Sequence, residues 1–183
     1  MCRRKTLAMQ SIEAMCASQN MNPDILAGKA KLFLKTYRSI HWSAVALDKL
    51  CEDDSYCFSA EQMHQALDFL SDLDPDMPCL ALERKLRELF DPRWIAELVK
   101  SSLVQVHSFH KTGPIYNELL QTLFINTHAC SESDLLGILG VERSRLYELK
   151  KEAFLVFALA LWGTVLPKIT ELVEEESLMH YEF

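Results

Sequence analysis

Residues 134–153 read DLLGILGVERSRLYELKKEA, and their spacing predicts two short helices joined by a tight turn. A helix-turn-helix needs apolar residues that face inward from both helices and a turn residue that tolerates close approach. Gly140 falls at the expected turn. The apolar residues that fit the inward positions are Leu135, Leu139, Val141, Leu146 and Leu149. The stretch therefore predicts a helix-turn-helix hairpin.

The second helix of this hairpin, about residues 143–152, is expected to lie in the major groove of DNA. Arginine pairs with guanine or phosphate, tyrosine and serine hydrogen-bond phosphate or base edges, and lysine adds a charge that releases counterions. The candidate DNA contacts are Arg143, Ser144, Arg145, Tyr147, Glu148 and Lys151.

A longer stretch, residues 115–157, resembles a known group of DNA-binding proteins. It is similar to the C-terminal part of sigma-factor region 4 and, more closely, to phage transcriptional regulators of the autolysin-regulatory-protein (ArpU-like) type. The residues that carry the resemblance are Leu139-Gly140-Val141, Ser144, Tyr147 and Lys150-Lys151-Glu152-Ala153. The resemblance implies a regulator that binds double-stranded DNA in a sequence-specific manner, with RNA polymerase as a second partner. It implies no catalytic residues.

Upstream of the hairpin, Pro23 begins the clearest helix, with Asn22 as its cap. Apolar residues then recur every three or four positions, which predicts one buried seam and a partner helix from the same chain or from a second copy. The seam contains Leu26, Ala30, Phe33, Tyr37, Ile40, Ala44, Leu47 and Cys51. Lys31, Lys35 and Arg38 form a basic stripe beside it, which is either solvated or adds phosphate contacts if it shares the face of the recognition helix.

Breaks rich in proline and aspartate divide the rest of the chain into further helices, predicted at 59–73, 79–90 and 92–109. The run HKTGP at 110–114 is the predicted domain boundary. We therefore expect an all-α protein with an N-terminal helical bundle at 1–110. A helix-turn-helix module with a long apolar C-terminal packing helix follows at 111–183.

The uncharged run from Ala153 to Pro167, AFLVFALALWGTVLP, is apolar on every face and is expected to be buried. It is shorter than the roughly 18 residues of a membrane span, so no membrane is predicted as a partner. Packing against the N-terminal module and packing against a second copy in a homodimer both remain open. Because Pro167 cannot donate to the carbonyl four residues back, an irregularity is expected near Gly163.

Charge is distributed unevenly along this chain of net charge -7. Residues 1–50 carry eight Lys and Arg against three acids, whereas residues 51–110 carry five against twelve. Mutual attraction between these two segments accounts for the pattern. The six cysteines form no C-x-x-C pair, and no secretory signal opens the chain, which predicts reduced thiols in a cytoplasmic protein.

The motifs of enzymes and metal sites are missing from the sequence, so neither catalysis nor a cofactor is expected. His107, His110, His128 and Cys130 lack the paired short spacings of a structural zinc site and are predicted to be separate surface residues. Asp68, Asp72, Asp74 and Asp76 lack the glycine and terminal Glu of a calcium loop, which predicts a solvated acidic turn.

A protein-interaction module with a degenerate helix-turn-helix is the alternative function. Leu136 occupies the position between the helices where a small residue is usual, and Glu142 replaces the Ser or Thr that caps the second helix. Glu142, Glu148 and Glu152 also reduce the local positive charge. Such a module keeps the scaffold but does not bind nucleic acid.

Overall fold

The computed structural model describes residues 5–48, 59–126 and 130–179, and within these ranges the secondary structure consists of helices joined by turns. The α-helices are α1 (Leu7–Ser18), α2 (Pro23–Asp48), α3 (Ala60–Ser71), α4 (Cys79–Leu89), α5 (Pro92–His107), α6 (Gly113–Leu120), α7 (Glu132–Leu139), α8 (Arg143–Ala160) and α9 (Leu166–Met179). Short π-helical segments follow α6 (Gln121–Ile125) and join α8 to α9 (Leu161–Val165). The predicted all-α class and the long apolar C-terminal helix are confirmed.

Side-chain caps fix the starts of several helices at the predicted positions. The Asn22 Oδ1 atom accepts a hydrogen bond from the Asp24 backbone N–H at 2.9 Å, at the start of α2. Asp91 accepts in the same way from the Arg93 N–H at 2.7 Å, at the start of α5. Each cap satisfies a backbone donor that has no partner inside its helix, which is worth about 1 kcal/mol.

α8 is the central helix of the fold, because α1, α2, α5 and α6 all pack against it. Its second half is buried, with Ala153 and residues 155–160 inaccessible or nearly so. The ring of Phe33 in α2 packs against two aromatic rings: its centroid lies 6.4 Å from that of Phe157 and 6.1 Å from that of Trp162. Burying a large apolar side chain stabilises the fold by roughly 1.5–3 kcal/mol. The predicted burial of the apolar tail is confirmed from Ala153 to Trp162, where Phe154 is half-buried, and it is achieved within one chain. Thr164 and Pro167, at the end of the predicted run, are exposed.

The seam predicted along α2 is confirmed for every position whose side chain the structure describes. Its buried residues are Leu26, Ala30, Phe33, Tyr37 and Ile40. They face α4, α5 and α8, so the partner helices come from the same chain. The side chains of Ala44 and Leu47, and the whole of Cys51, lie outside the described residues.

The predicted boundary at residue 110 coincides with the turn between α5 and α6. α5 ends at His107, two residues before the predicted end, and His110 has the left-handed backbone angle φ 41° that an α-helix cannot continue. A Cβ atom on Gly113 would lie 2.5 Å from the carbonyl oxygens of Val106 and His107, so glycine allows α6 to start against the end of α5. Buried residues from both sides of this turn form one hydrophobic cluster. The division into two modules stays a prediction.

The helical stretch Arg143–Glu175 is long and apolar enough to cross a membrane, with 33 residues and a mean hydropathy of 1.7 over its most apolar part. A core helix meets the same two criteria. Here 61% of that apolar part is buried inside the protein, against helices of the same chain. This burial is the pattern of a core helix.

The irregularity predicted near Gly163 is present as the π-helical segment Leu161–Val165. Pro167 has no N–H to donate to the Gly163 carbonyl, and a widened turn is one way in which a helix accommodates that loss. The Gln19 side chain packs onto the same turn, since a Cβ atom on Gly163 would lie 2.3 Å from its Oε1 atom. Glycine therefore lets α1 approach the backbone of this segment closely.

Two glycines, three residues apart, provide a matched test of the turn before α8. Gly140 has φ 61°, whereas Gly137 lies inside α7 with open space where a Cβ would be. Gly140→Ala should lower the free energy of unfolding by about 1 kcal/mol, because an L-residue is strained in the left-handed region. Gly137→Ala should raise it by up to about 1 kcal/mol through better helix propensity. Urea unfolding followed by far-ultraviolet circular dichroism measures both, and two changes of the same sign would contradict the assigned turn.

Candidate nucleic-acid interface

The predicted hairpin consists of α7, a left-handed turn at Gly140 (φ 61°, ψ 33°) and α8. Ser131 and Asp134 form a capping box: the Ser131 Oγ atom accepts from the Asp134 N–H, and the Asp134 carboxylate accepts from the Ser131 N–H at 2.9 Å. Hydrogen bonds from Ser131 lower the pKa of Asp134. The cap and the predicted turn are therefore present, while the assignment of the hairpin to the helix-turn-helix class stays a prediction.

The inward-facing residues of the hairpin are buried to different degrees. Leu135, Leu146 and Leu149 are buried in the core. Leu139 and Val141 are half-buried, as is Leu136 at the position between the helices. α7 makes few backbone contacts with the other described elements, and its Ile138 is 55% exposed. The hairpin is therefore anchored mainly through α8, with α7 on the outside of the molecule.

One side of α8 carries exposed candidate contacts at intervals of four residues. Arg143 has a side-chain exposure of 72%, Tyr147 is 56% exposed, and Lys151 is exposed as well. The Lys150 Nζ atom lies 5.5 Å from the centroid of the Tyr147 ring, which is within cation–π range. Lys150 itself is half-buried at the edge of this line. The four side chains Arg143, Tyr147, Lys150 and Lys151 are called the exposed face of α8 below.

Arg143 is held loosely at the start of α8. Its Nε atom lies 3.3 Å from the Glu132 Oε1 atom in α7, an ion pair whose geometry is not that of a hydrogen bond. The Arg143 side chain is 72% exposed, whereas the Glu132 side chain is 32% exposed and its Oε1 atom is buried. The guanidinium is therefore open to a second anion from the solvent side. Glu142 precedes it as the helix cap without a side-chain capping hydrogen bond.

The opposite side of α8 forms a buried polar junction around Glu152, whose side chain is 0% exposed. Its Oε1 atom accepts a hydrogen bond from the Thr6 hydroxyl at 2.5 Å, and its Oε2 atom accepts one from the Tyr116 hydroxyl at 2.8 Å. Two guanidinium nitrogens of Arg145 each lie 3.4 Å from one of the two carboxylate oxygens. These four residues are called the Glu152 junction below. Its members come from α8, from α6 and from the cap of α1.

Arg145 is engaged by two carboxylates rather than pointing to solvent. Its side chain is 35% exposed, and its Nη1 atom also donates to the Glu148 Oε2 atom at 3.1 Å. Burial by itself lowers the pKa of Arg145, but the hydrogen bond to Glu148 and the charge of Glu152 outweigh it and raise the pKa. The guanidinium therefore stays charged and paired.

The structure thus separates the six predicted contacts into two groups. Arg143, Tyr147 and Lys151 lie on the exposed face of α8, whereas Ser144, Arg145 and Glu148 are partly buried. Because Arg143 and Arg145 are two residues apart, they project about 200° from each other around the helix.

The basic stripe of α2 is exposed, and its one side-chain hydrogen bond among the described residues is made to the segment after α6 and not to α8. Lys31 and Lys35 are exposed, and Arg38 donates from Nη1 to the Leu123 carbonyl at 3.0 Å. That carbonyl belongs to the π-helical segment after α6. The idea that these three residues add phosphate contacts beside α8 stays a prediction.

The role of Glu152 was not predicted from the sequence, where Glu152 counts among the glutamates that reduce the local positive charge. A signal was available, because Glu152 follows Leu149 by three residues and precedes Val156 by four, which puts it on the buried stripe of α8. Thr6 and Tyr116 carried no comparable signal. They reach Glu152 from 146 and 36 positions away in the chain.

No group of three or more His, Cys, Asp or Glu side chains among the described residues is arranged to hold a metal ion. His107 is the last residue of α5 and His110 lies in the turn that follows it. Cys130 is a free thiol, and His128 lies outside the described residues. The four aspartates at 68, 72, 74 and 76 are exposed, and Asp74 accepts a hydrogen bond from the Asp76 N–H at 2.9 Å. The carboxylates of this segment are therefore in contact with solvent.

Comparisons with known proteins identify no relative: no family model, no curated protein and no solved structure matches the chain.

The Glu152 junction gives the protein a specific sensitivity to alkali. Burial raises the pKa of Tyr116 from 10.0 to about 12, and the neighbouring Glu152 contributes to the rise. Because the folded state favours the neutral phenol of Tyr116, this group contributes in full to the free energy of unfolding below pH 10. The contribution is lost as the pH rises through 12. The free energy of unfolding from urea titrations between pH 9 and 12 should therefore fall less steeply for Tyr116→Phe than for the unmodified protein. Identical pH dependences would contradict the assignment.

Proposed function

We propose that the protein is a transcriptional regulator that binds double-stranded DNA, with the first turns of α8, residues 143–152, in the major groove. The observation that carries the proposal is the exposed face of α8, which begins directly after the left-handed turn at Gly140. Arg143, Lys150 and Lys151 supply positive charge there, and Tyr147 supplies a ring and a hydroxyl. Such a face combines phosphate contact with base readout.

The arrangement of negative charge also favours DNA binding. Glu152 is buried and lies against Arg145, so its carboxylate is not displayed beside the exposed face. Because Glu152 and Arg145 offset each other, the positive charge that α8 offers to a phosphate backbone comes from Arg143, Lys150 and Lys151. The net charge of -7 arises largely from residues 51–110, where acids exceed bases by seven.

The resemblance of residues 115–157 to sigma-factor region 4 and to ArpU-like phage regulators supports the same proposal. It suggests a bacterial or phage regulator that acts in the cytoplasm together with RNA polymerase. A homodimer on two half-sites, about 10 base pairs apart, is the usual arrangement for helix-turn-helix proteins. The apolar tail is buried within one chain, so a dimer of this protein has to use another surface.

The salt dependence of DNA binding tests the proposal without knowledge of the operator. Anisotropy of a labelled mixed-sequence duplex should show affinity that falls steeply with salt. Arg143→Ala and Lys151→Ala should each lower the slope of log affinity against log salt by about 0.9, because each removes one phosphate contact. Lys85→Ala removes an exposed charge from α4, on a side chain that is 49% exposed, and should leave the slope unchanged. Equal effects of all three substitutions would show that only net charge matters.

A protein-interaction module is the second candidate function. It is favoured by the carboxylates that already contact both arginines, Glu132 for Arg143, and Glu148 and Glu152 for Arg145. Exposed apolar side chains on the same hairpin, Ile138 and Tyr147, fit a protein partner as well. Absence of salt-sensitive binding to any duplex, followed by an unbiased selection from random duplexes that enriches nothing, would favour this candidate.

A further inference from the structure

Glu152 is the buried side chain that carries a formal charge among the residues whose burial the structure describes. Removing a carboxylate from water is costly unless hydrogen bonds and an opposite charge compensate for it. Here Thr6, Tyr116 and Arg145 together provide both kinds of compensation. Each of these contacts is directional, so together they restrict how α8 can lie relative to α1 and α6.

Thr6 ties the junction to the start of α1. Its hydroxyl oxygen accepts a hydrogen bond from the Met9 N–H at 3.0 Å, as the cap of α1, and its hydroxyl hydrogen is donated to Glu152. One hydroxyl group therefore fixes a helix end and a buried carboxylate at once. Tyr116 connects α6 to the same carboxylate, with a side chain that is fully buried.

If Arg145 left the junction, the buried carboxylate of Glu152 would have no positive partner. If its guanidinium moved to a DNA phosphate, Glu152 would stay buried without its positive partner, which is among the costlier arrangements in a protein interior. Arg143 differs, because its side chain is 72% exposed and contacts the Glu132 carboxylate through a single ion pair that is not a hydrogen bond. Two arginines of similar sequence context therefore have different capacities to bind an anion.

We infer that Arg145 is a positioning residue and does not contact DNA. Through the Glu152 junction it fixes the first turns of α8 against α1 and α6, so that Arg143, Tyr147 and Lys151 are presented together. This role depends on DNA binding by α8 as proposed above. It differs from the expectation that Arg145 contacts phosphate or guanine, and the experiments below distinguish the two.

The salt slope separates a positioning role from a contact, since only a phosphate contact changes the number of counterions released. Arg145→Ala should weaken binding to the mixed duplex about threefold to tenfold with an unchanged slope, whereas Arg143→Ala should lower the slope by about 0.9. Arg145→Gln, which keeps a hydrogen-bond donor for Glu152, should behave like Arg145→Ala with a smaller loss. It also serves as the second variant if the alanine form does not fold.

Tyr116→Phe tests the positioning role independently of any DNA contact, because the Tyr116 side chain is buried and cannot touch DNA. Loss of its hydroxyl should also weaken DNA binding at an unchanged slope. The double variant with Arg145→Ala should bind more tightly than the two separate losses predict, because both act through Glu152. In the absence of DNA, amide hydrogen exchange should become faster in both single variants, at the first turn of α1 and at the first turns of α8.

The outcomes distinguish this inference from the proposed function. If the unmodified protein binds no duplex, both fall together. If it binds duplex but Arg145→Ala lowers the salt slope as much as Arg143→Ala, only the positioning role is overturned, and Arg145 is a DNA contact. If Tyr116→Phe leaves DNA affinity and amide exchange unchanged, the junction does not position α8 and the inference is likewise overturned.

Discussion

A helix that is apolar on every side has to be surrounded by protein, and the second half of α8 imposes this requirement on the whole chain. Ala153 and residues 155–160 can be covered only if helices approach from several directions. α1, α2, α5 and α6 meet that need, and α2 contributes its apolar seam through Phe33. The packing of these four helices against α8 satisfies this one condition.

The same helix changes character along its length. Its first half is amphipathic, with leucines at 146 and 149 directed inward and Arg143 and Tyr147 directed outward, whereas its second half is enclosed. A rigid core element therefore continues directly into the surface that we propose for DNA. A contact surface built on a buried helix is held more firmly than one built on a loop, which suits recognition that depends on the spacing of side chains. The Glu152 junction lies where the two halves meet.

Local features of this fold were predictable from the sequence because they depend on residues close together in the chain. The caps at Asn22 and Asp91, the turn at Gly140 and the seam of α2 all follow from spacing of a few residues. The Glu152 junction was not predictable in full, since Thr6 and Tyr116 reach Glu152 only through tertiary packing. The different environments of Arg143 and Arg145 were partly predictable, because side chains two positions apart on a helix cannot share one face.

The widened turn at Leu161–Val165 separates two parts of the C-terminal helical stretch that are packed to different extents. Beyond it, α9 packs chiefly on α3 and on the turn itself, whereas the helix before it is enclosed by the core. Segments with few enclosing neighbours open locally at a lower free energy than the whole protein unfolds. α9 is thus expected to detach and reattach as a cooperative unit of its own while the core around α8 remains folded, and proteases acting on the native protein would cut within it as it opens.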